Sequence, residues 1–139
     1  MKYAISSADV SQSKGFYSQA TTAGRLIFIS GQTGIDKDQD QDHALSSINQ
    51  HSTNTQVNLS VAEQTEKIIT TFVKLLDEVN CTLSDIAQMT IFVTSPEDLP
   101  EIDAVLRRHF DLPAPARSVA HVCSLPDDAC VEISCIACR

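Results

Sequence analysis

The sequence predicts an α+β fold in which a sheet carries two helices on one of its faces. Three observations lead there. Residues 61–80 and 99–110 place their apolar side chains at spacings of three, four and seven, the pattern of helices with one core-facing stripe. Runs at 25–30, 86–94, 117–125 and 131–138 are rich in Ile, Val and other apolar residues, have strand length, and are bounded by turn formers. The resulting order is strands, helix, strand, helix, two strands, and helices that are apolar on one side only cover one face of a sheet and leave the other in need of cover.

Taken in order, Arg25-Leu26-Ile27-Phe28-Ile29-Ser30 is an apolar run between Gly24 and Gly31 and reads as a strand buried on both faces or nearly so. Gly31 and Gly34 then let the chain turn sharply. Residues 36–58 are dominated by Asp, Gln, Ser and Asn, with only scattered apolar side chains. This segment is expected to be an exposed, mobile loop inserted into a single domain spanning 1–139.

Ser60-Val61-Ala62-Glu63 has the capping-box spacing that starts a helix. Its stripe is Val61, Ile68, Ile69, Phe72, Val73, Leu75, Leu76 and Val79, ending near Asn80, with Glu63 and Lys67 as an i,i+4 pair outside it. After a turn at 80–85, residues 86–94 form a strand. Ser95-Pro96 opens the second helix, with the serine as cap and the proline at the first helical position. Leu99, Ile102, Val105, Leu106 and Phe110 make its stripe, and Pro113 and Pro115 stop it. The remainder reads as a hairpin, 117–125 and 131–138, joined by a turn at 126–129.

Composition excludes several classes. With 139 residues the chain suits one domain, and its core must come from Ile, Val, Leu and Ala because tryptophan is absent and aromatics make up 5%. The net charge is −8, and the ten basic residues are scattered, so nucleic acid is not the expected partner. The first residues lack the apolar run of a signal peptide, and no stretch approaches the ~20 apolar residues of a membrane span. A cytoplasmic protein is expected. Five cysteines, an odd number, fit a reduced compartment better than a disulfide framework. Cys135-Ile136-Ala137-Cys138 is formally a Cys-x-x-Cys, but residues three apart on a strand point to opposite faces, so no metal site is expected there.

Arg117 at the start of one strand and Glu132 early in the next would face each other across the expected antiparallel hairpin, a guanidinium and a carboxylate able to hold a small anionic substrate. Each also has a plainer reading. Arg117 suits a solvated edge, Glu132 the solvent side of an alternating strand, Tyr17 a partly buried aromatic, Gly31 a turn, and His121 packing or surface.

Pro113-Ala114-Pro115-Ala116-Arg117-Ser118-Val119, Val131-Glu132-Ile133-Ser134, Gly15-Phe16-Tyr17-Ser18-Gln19-Ala20 and Leu26-Ile27-Phe28-Ile29-Ser30-Gly31-Gln32 occur in the order seen in the RidA (YjgF) family of enamine/imine deaminases. The chain resembles that family from about residue 15 to its C-terminus, outside the segment between Gly34 and Ser60. The resemblance implies a mixed six-stranded sheet with two helices packed on one face, chorismate mutase-like, in a homotrimer with a central barrel and clefts between subunits. It implies that Arg117 grips a substrate carboxylate, Glu132 positions or activates water, and Tyr17 donates a hydrogen bond or proton, with Ser30, Gly31 and Val119 lining the substrate site. The implied reaction is hydrolysis of 2-imino and 2-enamino acids, such as 2-iminopropanoate (the tautomer of 2-aminoacrylate) and 2-iminobutanoate, to 2-oxo acids and ammonia without a cofactor. The alternative is a non-catalytic trimer that binds small carboxylates in a sensing or interaction role. A ribonuclease activity, attributed to some members, fits the acidic charge poorly. The sequence departs from the common pattern at Asp103, where many members have asparagine, at Leu106, where tyrosine is frequent, and in its longer 36–58 segment.

Overall fold

The computed structural model describes residues 1–35 and 59–139, and the expected polar loop at 36–58 lies outside them. Among the described residues, six strands, β1 (Lys2–Ile5), β2 (Ala20–Ala23), β3 (Leu26–Thr33), β4 (Ile86–Val93), β5 (Ala116–His121) and β6 (Val131–Cys138), and two helices, α1 (Val61–Asp77) and α2 (Leu99–His109), make up the architecture. The sheet order is β1-β2-β3-β6-β4-β5. All neighbours are antiparallel except β4 and β5, so the sheet is mixed, as expected.

The expected terminal hairpin is not formed. β6 lies between β3 and β4, while β5 pairs in parallel with the far edge of β4. The reason is the β4–α2–β5 connection. A crossover of that length, carrying a helix, joins parallel neighbours, and once β5 takes that edge β6 has the antiparallel gap between β3 and β4. Arg117 and Glu132 are therefore separated by two intervening steps of the sheet.

α1 begins as the capping box requires. The Ser60 backbone N–H donates to Glu63 Oε2 at 2.8 Å, and the Glu63 N–H donates to Ser60 Oγ at 3.2 Å. The helix ends at Asp77, where Asn80 with φ of 55° turns the chain and the Cys81 N–H reaches back to the Leu76 carbonyl. Val73, expected on the stripe, is 47% exposed and stands off it. Ser95 also departs from expectation. It makes no side-chain cap, and a 3-10 turn at Pro96–Asp98 precedes α2. Phe72, Ile68, Ile69, Leu75 and Leu76 of α1 and Ile102 and Val105 of α2 are buried over the sheet residues Ile27, Ile29, Ile91, Val93, Val131, Ile133, Cys135 and Ala137.

Alternation along β6 decides which side chains can act. Val131, Ile133, Cys135 and Ala137 are buried under the helices, so Glu132, Ser134, Ile136 and Cys138 belong to the opposite, open face. On that face Leu26 and Phe28 of β3 are 42% and 39% exposed, so β3, expected to be buried on both faces or nearly so, is buried on only one within this chain. Cys135 in the core and Cys138 at the surface thus stand on opposite sides of the sheet.

Candidate functional site

β3 and β6 pair regularly from Leu26 to Ile29, then slip. Ile29 is opposite Cys135 but Gln32 is opposite Ile133, so Ser30 and Gly31 together face the single residue Ser134. This is a β-bulge, a device that re-aims side chains and terminates regular pairing. Glu132, opposite Thr33, comes up beside it. A methyl group built onto Gly31 would strike the Glu132 carboxylate, lying 2.8 Å from Cδ. Gly31 is thus the space in which Glu132 sits. Gly34 serves packing instead, because a methyl there would run into the backbone of Gln64 on α1.

The Glu132 carboxylate forms no hydrogen bond or ion pair among the described residues, and partial burial pushes its pKa above the usual glutamate range. It shares a cleft of about 860 Å³ with Tyr17, Ser30 and Gly31. Tyr17 is 56% exposed on the segment between β1 and β2. That segment is held by Gln19, which lies in the Gly15–Ala20 motif but had no expected role. Buried Gln19 donates through Nε2 to the carbonyls of Val10 and Ser11, both at 3.1 Å, and its Oε1 accepts from the Ser7 N–H at 2.8 Å. Ser30 ties in as well, its hydroxyl donating to the Ser18 carbonyl at 2.7 Å. A glutamine directly before the apolar Ala20 of β2 is the one sequence signal that could have marked this brace.

Arg117 lies elsewhere. Its register partner is Met89, a buried residue under the helices, and its side chain meets α2. Nη1 and Nη2 donate to Oδ1 and Oδ2 of Asp103, the second contact at 3.4 Å. This contact raises the Arg117 pKa, so the guanidinium stays charged. The pair lines a smaller pocket of about 310 Å³ with Met89, Leu106, Phe110 and Leu112. Val119, two residues along β5, is 38% exposed and lines neither space.

The candidates therefore divide into two groups. Tyr17, Ser30, Gly31 and Glu132 share one cleft, and Arg117 with Asp103 occupies another. Arg117 and Glu132 are on opposite faces of the sheet. They are also offset by about 10 Å across the strands and about 10 Å along them at ordinary strand spacings. The expectation that they face each other within one chain is overturned by the strand order. Among the described residues no group of three or more His, Cys, Asp or Glu could hold a metal ion, and no helix is long and apolar enough to cross a membrane.

The fold is that of a known class. The family described as Endoribonuclease L-PSP matches residues 8–139, and the chain belongs to it, the RidA (YjgF) family. It is 30% identical over 135 residues to the 2-iminobutanoate/2-iminopropanoate deaminase of Dermatophagoides farinae, covering 97% of this chain and 94% of that protein. It is 29% identical over 136 residues to Reactive Intermediate Deaminase A, chloroplastic, of Arabidopsis thaliana; that match covers 98% of this chain and 65% of the plant protein. The crystal structure of E. coli TdcF with bound serine superposes with a TM-score of 0.78 at 25% identity, covering 99% of this chain and 98% of that one.

Proposed function

We propose that this protein hydrolyses short 2-imino acids, and the 2-enamino acids from which they form, to 2-oxo acids and ammonium. The observation that carries the reading is Glu132, a part-buried carboxylate with a raised pKa and no side-chain partner among the described residues, seated on the bare backbone of Gly31 in a cleft that Tyr17 also lines. Such a group suits a base that takes a proton from water. Water adds to the iminium carbon as its proton passes to Glu132. The tetrahedral adduct then takes that proton from Glu132 on its nitrogen, the C–N bond breaks, the hydroxyl proton returns to Glu132 as the carbonyl forms, and the departing ammonia takes it up to leave as ammonium. Tyr17 assists protonation, Ser30 and the backbone at Gly31 orient the substrate, and Arg117 holds its carboxylate, with Val119 beside it. Imines of this kind hydrolyse unaided, so positioning and one acid/base group suffice as catalyst.

Because Arg117 and Glu132 lie on opposite faces of the sheet, no ligand of four carbons spans them within one chain. The reading therefore includes a homotrimer in which Arg117 of one subunit meets Glu132 of the next, with the open sheet faces turned inward over Leu26 and Phe28. Its setting is cytoplasmic, in keeping with five free cysteines among the described residues. Names of relatives at about 30% identity support the reaction class rather than a particular side chain. Ammonia release from enzymatically generated 2-iminopropanoate and 2-iminobutanoate should exceed the spontaneous rate, in a particle three times 15.1 kDa by light scattering. A rate equal to the spontaneous one would leave a carboxylate-binding trimer, and a monomer would remove the shared cleft.

A further inference from the structure

A plain carboxylate clamp has no use for Asp103, yet Asp103 takes the end of the Arg117 fork. Both carboxylate oxygens accept, one from each terminal nitrogen, which is the geometry an incoming carboxylate would use. The two side chains are 28% and 40% exposed at the mouth of the smaller pocket, so the pair is open to a ligand. Neither member is saturated by the described residues. A guanidinium has five N–H donors and a carboxylate about four acceptor positions, and the pairing uses two of each.

The site thus presents a cation and an anion side by side. A ligand that is only an anion finds a carboxylate beside its binding group, whereas one with a carboxylate and a cationic nitrogen on adjacent carbons matches both charges. Resting on the Arg117 part of the proposed function, we infer that Asp103 makes this site select zwitterionic head groups, 2-iminio and 2-ammonio carboxylates, over 2-oxo acids of the same length. For a deaminase the consequence is directional. Hydrolysis replaces the cationic nitrogen by a neutral carbonyl oxygen, so the product loses its contact with Asp103 and keeps only its repulsion. Arg107 lines the same pocket and attracts a net anion more than a zwitterion. That pull opposes the selection and is the same with or without the Asp103 charge.

The test needs no turnover. 2-Oxobutanoate and L-2-aminobutanoate, which differ only at C2, are titrated into the parent, Asp103→Asn, Asp103→Ser and Arg117→Ala and followed by NMR. Removing the Asp103 charge should tighten the oxo acid and weaken the amino acid, shifting the ratio of their affinities by on the order of fivefold, the scale of exposed charge contacts. Both Asp103 variants should agree, which separates charge from local repacking. If Asp103 only braces Arg117, both ligands weaken together and the ratio stands still, which would overturn the inference while leaving the clamp intact. If Arg117→Ala binds both ligands as the parent does, the clamp itself is wrong and the inference falls with it.

Discussion

Gly31→Ala and Gly34→Ala are the same chemical change three residues apart, and the structure assigns them opposite consequences. At Gly31 the new methyl group meets Glu132, and the atoms in the way are the Oε1, Cδ and Cγ of a side chain with rotamer freedom. Swinging that carboxylate aside costs about 0.5–1.5 kcal/mol if it is forced off its rotamer, and less if a neighbouring well is open. The fold should hardly notice. Activity should, because displacing a base by about 1 Å loses on the order of a hundredfold in rate. At Gly34 the methyl meets the Cα, C and O of Gln64, inside the first turns of α1, where nothing can rotate away. Overpacking there should cost about 1–3 kcal/mol in stability. Both glycines lack the positive φ found at Gly24, so the contrast is steric and not a matter of backbone strain. Urea denaturation of each variant, paired with ammonia release at saturating imine, reads the two effects separately. Parental turnover in Gly31→Ala would refute the placement of Glu132 at the reacting centre.

Three further outcomes are expected. Glu132→Gln should lower turnover by on the order of 10²–10⁴ while 2-oxobutanoate binding changes little, and it should remove the acidic limb of the rate profile. In the parent that limb should lie above the ordinary glutamate range, because burial raises this carboxyl and the base is lost as pH falls through the raised value. The same shift means the ionised group destabilises the fold as pH rises through its folded pKa, so Glu132→Gln should be the more stable protein at neutral pH. Arg117→Ala should reduce kcat/KM about 10- to 100-fold with the fold intact, the scale of a lost charge-assisted contact, and lysine should rescue only partly. Ser60→Ala breaks the capping box and should cost about 1 kcal/mol in denaturant with no change in turnover.

α1, β3 and β4 were legible in the sequence because their signals are local: a capping box, a periodic stripe, an apolar run closed by glycine. The misread parts depend on partners far away in sequence. Nothing in residues 117–138 tells that β4 will slot against β6, since a short Pro-Asp-Asp connection between two strand-like runs is what a hairpin also looks like. β1 and β2 are only four residues each, too short to show a pattern, and exist as strands because they pair with each other and β2 with β3. Val73 fits a heptad count yet sits just past the edge of the stripe. Asp103 was visible as an unusual residue, but its contact with Arg117 joins a helix to a strand across fourteen residues, which only the fold reveals. The family motifs supplied the site candidates without telling that one chain keeps them apart.

That separation yields a test of the shared cleft itself. If each site takes Arg117 from one subunit and Glu132 from its neighbour, then Arg117→Ala and Glu132→Gln damage different halves. A Glu132→Gln chain can still supply the guanidinium, and an Arg117→Ala chain can still supply the carboxylate. Unfolded together in equal amounts and refolded, the two impaired variants should regain activity above the mean of the two alone. About one quarter of the clefts in a randomly mixed cyclic trimer would pair the intact arginine with the intact glutamate, so about a quarter of the parental rate is expected. Refolding each variant alone controls for recovery, and mixing without unfolding controls for subunit exchange. A site built within one chain would regain nothing, because every copy would then carry one broken half.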